Sequence, residues 1–350
     1  MSISESKPRK EDGKFITNDF IGLTKYLILE ELFSINQEFS KKFNDLVICL
    51  DSSNNWRKEF FPHYKAKRAV SREDSEINYD EVFFHVNGLI DQMRDNLPWK
   101  VVKVNKAEAD DIMLVLSKEY NRFEKILIHS PDKDMIQAQR DTDNVFQYSA
   151  LTKKWIVPTN KNASMNEWIV EHICLGDAAD EVPKIVDHTE FSESFISHIK
   201  KYGYNFKDPL EFKNSDIDES IKINMIKNFN VYKTNRKGES TGIKDIYKKI
   251  IFGPTTLKKE LAKHGSLDNW LNSNPLYRKH YDRNFKLVMA EGIPSDIWNN
   301  IILEYKKAKI DYNDIKFEKY LMENNLQSIK MVLNNHFKIN RELTAEDFNW

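Results

Sequence analysis

Along residues 99–137, WKVVKVNKAEADDIMLVLSKEYNRFEKILIHSPDKDMIQ, two short apolar runs, VVKV and KILIHS, flank a stretch where Ile112, Leu114, Val115 and Leu116 recur at helical spacing. Short apolar runs read as buried strands, and the 3.6-residue period between them reads as a helix from about Asp110 to Tyr120. The same alternation appears upstream. Phe20, Leu23, Leu27, Ile28, Leu32, Ile35 and Phe39 lie at helical intervals over 20–43, and DLVICLD at 45–51 reads as another buried strand. A helix over 82–97 leads back to the central stretch. Downstream, NVFQYSALTKKWIVP alternates like a strand or hairpin, and MNEWIVEHICL at 165–175 reads as a helix. GPTTLKKELAKHG at 253–265 has a capping Thr and a stopping Gly, and 266–337 is mostly helical in pattern. Strands alternating with helices predict an α/β fold on a mostly parallel sheet, followed by a helical part.

Acids follow each of the three strands. Asp51 ends the first, Glu108, Asp110 and Asp111 follow the second, and Asp132 and Asp134 follow the third. Ligands of open parallel sheets sit beyond the carboxyl ends of the strands, so these side chains are expected on one side of the sheet. At about 4 Å and an effective dielectric near 20, each ionised pair repels by roughly 4 kcal/mol. A cation is therefore expected among them, and all-oxygen donors without His or Cys point to Mg²⁺ or Mn²⁺. GDAADEVPK adds Asp177 and Asp180 in a Gly-started turn, whose backbone N–H groups are expected to face outward and suit a phosphate.

Directly after Asp51 comes SSNNWRKEFFPHYKAKRAVSRED, where basic and aromatic residues interleave and Glu59 is the one acid between Trp56 and Arg72. Cations neutralise phosphates and aromatic faces stack on unpaired bases, so Trp56, Arg57, Tyr64, Lys67 and Arg72 are expected to meet a single-stranded nucleic acid near the acidic site. A solvated charged loop is the other reading. Lys258 and Lys259 fit a clamp on nucleic-acid backbone. Lys233, Arg236 and Lys237 are read the same way, or as a solvated loop.

Composition narrows the class. The 350 residues carry a formal net charge of −1, and no apolar run approaches the length of a membrane span. The polar start is unlike a secretion signal, so a cytoplasmic monomer is expected. Cys49 and Cys174 lie in apolar stretches without metal spacing and are expected as buried thiols. The organisation expected is a mobile terminus (1–18), an α/β domain (19–164) with a basic arch at 52–75, and a helical region (165–337). An insertion at about 191–246 and a tail at 338–350 complete it. The tail, ELTAEDFNW, reads either as a frayed end or as a dock for a replication partner such as a single-strand-binding protein or sliding clamp.

VICLD, HYKAKR at 63–68, AEADD at 107–111, HSPDKDMIQ at 129–137 and GDAAD at 176–180 resemble, in that order, the flap-endonuclease family of 5′ nucleases, as does YRKHYDRNFKLVMAEGIPSDI further on. The resemblance implies a PIN-like central sheet with a helical C-terminal helix-turn-helix module. It also implies a two-metal nuclease that removes RNA primers and 5′ flaps in phage DNA replication, acting on flapped DNA and RNA–DNA hybrids. By position, Asp51, Glu108, Asp110 and Asp132 would hold the first ion, while Asp111, Asp134, Asp177 and Asp180 would complete a second region. Lys65 and Arg68 match arch residues that grip the scissile phosphate, and GDAADEVP matches a duplex-binding element that in some relatives holds a monovalent cation. Glu181 stands where the family usually has Asn, and Pro131 where it has Gly. The family's first strand, with its first metal-binding Asp, has no counterpart in this sequence. A non-cutting DNA-binding protein, one half of a split nuclease, and a PIN-type endoribonuclease are the alternatives.

Overall fold

Most apolar runs of the first half become short parallel strands, because the connection from 50 to 100 and that from 129 to 145 are long enough to return the chain to the same end of a sheet. In a computed structural model of the chain, the residues described are 10–11, 14–15, 18–66, 68, 79–140, 142–157, 165–186, 189–206, 211–212, 215–227, 252–308 and 314–323. The chain divides into two units, Met1–Met165 with Met289–Trp350, and Asn166–Val288.

In the first unit, β1 (Lys10–Glu11) and β2 (Lys14–Phe15) pair antiparallel ahead of α1 (Asn18–Phe43). β3 (Val47–Leu50) leads through α2 (Trp56–Phe60) and α3 (Tyr79–Asn96) to β4 (Lys100–Lys103). α4 (Ala109–Tyr120), β5 (Ile126–His129), a 3₁₀ turn at Lys133–Gln139, β6 (Val145–Ser149) and β7 (Lys154–Ile156) follow. β3 and β4 are parallel in the register Val47↔Lys100 to Leu50↔Lys103. β5 and β6 are parallel from Ile126↔Val145 to His129↔Tyr148, and β7 closes on β6 antiparallel.

Strand alternation sends neighbouring residues to opposite faces, so two cores form. Val47 and Cys49 pack with Ile112, Val115 and Ile128, while Ile48 packs with Leu29, Phe33, Leu89 and Trp99. The chain crosses back after the second unit. Ile293, Ile297 and Ile301, the last two from the helix Ser295–Lys307, complete the first core, and Phe317 and Leu321 of Asp314–Glu323 complete the second. The expected α/β layering is present, but its sheet is divided. Among the described residues β3–β4 and β5–β6–β7 are separate sheets. All four residues of β3 are half-buried, whereas Val101 and Val102 of β4 are buried.

The second unit packs the helices Met165–Leu175, Pro254–His264, Leu267–Asn272 and Pro275–Val288 around Cys174, Ile185, Leu257, Trp270 and Leu271. Phe195, Ile199, Phe212 and Met225 make a smaller core within the expected insertion, of which 207–210, 213–214 and 228–246 lie outside the described residues. The tail at 338–350 and the cations Lys233, Arg236 and Lys237 also lie outside them.

The turn after Met165–Leu175 depends on one glycine. Gly176 has φ +63°, and a Cβ there would lie 2.3 Å from the Val182 carbonyl oxygen and 2.7 Å from that of Pro183. Asn284 holds the same loop by donating from Nδ2 to the carbonyls of Ile173 (2.9 Å) and Pro183 (2.7 Å). Gly176→Ala is expected to lower the unfolding free energy, measured by chemical denaturation, by more than the ~1–2 kcal/mol of a left-handed alanine. Gly203→Ala, at φ +86° with nothing within 4 Å of its added Cβ, is the control that carries the conformational cost alone. Equal losses in the two variants would show that the carbonyls yield.

Candidate active site

Three acid-bearing ends meet at the start of α4. Asp51, after β3, accepts the Ala109 N–H through Oδ1 at 2.8 Å, where a helix N-terminus favours negative charge. Glu108 precedes the helix, and its N–H donates to Asp111 Oδ2 at 3.0 Å. Asp132, after β5, accepts the Asp134 N–H at 2.8 Å and so caps the 3₁₀ turn. Asp110 feels them all. Its carboxyl is pushed up to about 7, first by burial, then by Asp132, with Glu108 and Asp51 adding and Lys65 opposing. Four carboxylates from three strand ends thus form one electrostatic cluster.

Glu108 is gripped by the base of the basic segment. Lys65 Nζ donates to Oε1 at 2.7 Å, and Arg57 Nη1 and the Tyr64 hydroxyl both donate to Oε2 at 3.0 Å. Burial alone would raise the Glu108 carboxyl, but Arg57, Lys65 and the hydrogen bonds from Lys65 and Tyr64 outweigh it and hold it below the usual range. Lys65 has φ +53°, a left-handed conformation uncommon for a residue with a side chain.

Several expected roles change in this setting. Asp111 is fully buried rather than open to an ion. Its carboxylate takes the Trp56 indole N–H at 3.0 Å and Arg57 Nη1 at 2.9 Å, and Arg57 Nη2 lies 2.7 Å from Oδ1. Trp56, Arg57 and Tyr64, expected against nucleic acid, are each about 4% exposed and face inward. The physical reason is the bidentate fit of guanidinium to carboxylate, which satisfies a buried charge better than a solvated phosphate contact would. Burial would depress the Arg57 guanidinium, but Asp111 more than compensates and raises it. Asp134 is half-buried, Arg68 is exposed, and Lys258 and Lys259 are exposed on Pro254–His264. Lys67 and Arg72 lie outside the described residues.

Asp177 and Asp180 belong to the second unit. Asp177 pairs with Val182 through both backbone groups, and its Oδ1 accepts the N–H groups of Ala179 (2.7 Å) and Asp180 (3.3 Å). Those N–H groups are therefore satisfied inside the turn, contrary to the expectation that they face a phosphate.

The charge and donor chemistry at Asp110 fit a hard divalent cation, since oxygen donors are crowded until one carboxyl resists ionisation. Among the described residues no three acidic, His or Cys side chains converge into a ready-formed cage. Glu108 instead turns to Arg57 and Lys65. Sequence reading passed over two buried amides that steady the acids. Gln147 donates from Nε2 to the carbonyls of Ser130 and Asp132, and Gln137 donates to that of Asp134. The available signal for Gln147 was a polar residue at an inward position of the alternating run NVFQYS.

Comparison with known proteins gives matches to nucleases of similar description. Residues 9–171 match the 5′-3′ exonuclease, N-terminal resolvase-like domain. The chain is 29% identical over 175 residues to the ribonuclease H of Enterobacteria phage T4, covering 49% of this chain and 56% of that one. It is 27% identical over 149 residues to a 5′-3′ exonuclease of Buchnera aphidicola subsp. Acyrthosiphon pisum, covering 41% and 49%. The chain thus spans about half the length of the curated relatives it matches. Among solved structures, a T5 5′-exonuclease with bound zinc ions aligns at 12% identity with a TM-score of 0.49, covering 81% of this chain and 90% of that one.

Removing Arg57 would leave Asp111 charged and buried. Arg57→Ala is expected to cost about 3–5 kcal/mol of stability, whereas Lys58→Ala, one residue on and exposed, is expected to stay within ~0.5 kcal/mol. Chemical denaturation measures both, and equal small effects would return Arg57 to the surface role.

Proposed function

Since residues 9–171 match the 5′-3′ exonuclease, N-terminal resolvase-like domain, we propose that this chain is a divalent-metal-dependent 5′ nuclease. Its substrates are flapped DNA and RNA–DNA hybrids, and its task is removal of RNA primers and 5′ flaps in phage DNA replication. The observation that carries this reading is the cluster around Asp110, where acids from three strand ends press on one carboxyl beside Lys65. The reading rests on the first unit's acids alone.

Asp51, Glu108, Asp110 and Asp132 would hold one Mg²⁺ or Mn²⁺, and Asp134 would serve a second ion. Such ions, when bound, lower the pKa of attacking water and stabilise charge on the phosphorus oxygens. The chain's own residues do the rest. Lys65 and Arg68 neutralise and orient the phosphate at the mouth of the site. Arg57 and Tyr64 hold Glu108 in place from behind, and the Asp111–Arg57 pair fixes the root of the arch to the helix that carries Asp110.

A second reading draws on the divided sheet. Among the described residues β3 and β5 each ladder on one edge, to β4 and β6, and each ends beside an acid of the cluster. An added parallel strand between them, from a further segment or another chain, would join the two sheets, as expected of one half of a split nuclease. Full cutting by the chain alone would count against that reading.

Asp132→Asn keeps an N-capping side chain while removing the charge. It is expected to abolish Mg²⁺-dependent cleavage of a labelled 5′-flap substrate and to leave flap binding within a few-fold. Lys65→Ala is expected to lower the cleavage rate at saturating DNA more than it weakens binding. Retained cutting by Asp132→Asn would refute the site, and cutting of structured RNA but not of flap DNA would favour an endoribonuclease.

A further inference from the structure

The loop Ser130–Asp132 is held by a residue that carries no charge and comes from the next strand. We propose that Gln147 is a positioning residue for the Asp132 arm of the site, an inference that rests on reading Asp132 as a metal-holding carboxylate. β6 alternates buried and half-buried residues, and its inward face presents Val145 (3% exposed), Gln147 (1%) and Ser149 (2%). Beside Val145 this face meets Ile128, Met135 and Ala138, an apolar setting where a packing residue would be aliphatic. An amide buried there costs stability unless its polar atoms are used.

Its donors are used on the acid-bearing loop. Nε2 donates to the Ser130 carbonyl at 2.9 Å and to the Asp132 carbonyl at 2.6 Å, the two carbonyls on either side of Pro131. Two acceptors fix the orientation of the amide, because the flipped form would set oxygen against oxygen. Oε1 is buried with no hydrogen-bond partner among the described residues, so the side chain is retained at a cost for what its NH₂ does.

The Asp132 carbonyl also accepts the Met135 N–H at 3.2 Å, from within the same turn. The β5–β6 ladder ends at His129↔Tyr148, and Pro131 has no N–H to give. The Asp132 N–H goes to Ser130 Oγ at 3.2 Å, a bond inside the loop that does not fix it to the sheet. Gln147 supplies that fixation from one side. Gln137 supplies it from the other, donating to the Asp134 carbonyl at 2.9 Å while its Oε1 accepts the Ala290 N–H at 2.7 Å. Two neutral amides thus set where Asp132 and Asp134 stand without adding charge to a crowded cluster. Groups that orient metal ligands from the outer shell tune metal affinity.

The test is direct Mn²⁺ binding to the full chain without DNA, by titration calorimetry, together with the Mg²⁺ dependence of flap cleavage. Gln147→Leu is expected to weaken Mn²⁺ binding by about 10–100-fold. It is also expected to raise the Mg²⁺ concentration for half-maximal cleavage, with the rate at saturating Mg²⁺ changed only a few-fold. Val145→Ala, on the same strand and face, lowers the thermal midpoint through a cavity and is expected to bind Mn²⁺ like wild type. Should Gln147→Leu fail to fold, Gln147→Met, nearer in shape, carries the same comparison. Unchanged Mn²⁺ affinity in the Gln147 variant, or equal weakening in Val145→Ala, overturns the proposal while leaving the metal reading intact. Equal Mn²⁺ binding by wild type and Asp132→Asn overturns both.

Discussion

Like charge crowded at the ends of parallel strands is the constraint the first unit is built around. β3, β4 and β5 all deliver acids toward the start of α4, and the strain of gathering them is concentrated on Asp110, whose carboxyl is pushed up to about 7. The fold relieves part of this crowding with its own cations. Arg57 and Lys65 take Glu108, and Arg57 takes Asp111 out of the cluster and into the core. Asp51, Asp110 and Asp132 stay clustered beside Glu108, and this is the charge that a bound divalent ion is proposed to answer.

Positioning and charge are handled by different residues. The ion pair of Arg57 with Asp111 is buried and bidentate, and it joins the segment after β3 to the helix after β4. Neutral amides, Gln147 and Gln137, steady the loop after β5. A third cation there would compete with metal for Asp132, whereas an amide fixes the backbone without adding charge itself. The second unit follows a similar plan on its own turn, where Asn284 and Arg283 reach the Pro183 carbonyl and His280 Nδ1 meets that of Ile185.

Much of this was legible in the chain itself. The helix expected from about Asp110 to Tyr120 is Ala109–Tyr120, that over 20–43 is Asn18–Phe43, and MNEWIVEHICL is helical as read. Local period decides such elements, so local reading finds them. The divided sheet was not legible, since strand runs do not show which edges ladder. The return of Met289–Trp350 to the first unit was hidden for the same reason, because Ile293, Ile297 and Ile301 choose a partner far away in sequence. The arch was misread for a subtler cause. Interleaved cations and aromatics suggest a nucleic-acid face, but composition does not say which way a side chain turns, and Trp56, Arg57 and Tyr64 turn toward Asp111 and Glu108. Gln147 was invisible to a search for charge.

The central claim concerns Asp110, and the carboxyl-carbon titration of that residue by NMR tests it most directly, once in chelator and once with Mg²⁺. A raised carboxyl is favoured protonated in the folded state, so folding stability falls as pH rises from its ordinary value of 3.8 toward about 7 and is flat above. The account predicts a midpoint near 7 in chelator and a drop to the ordinary carboxylate range or below when Mg²⁺ is present. A midpoint near 3.8 in both conditions would contradict it.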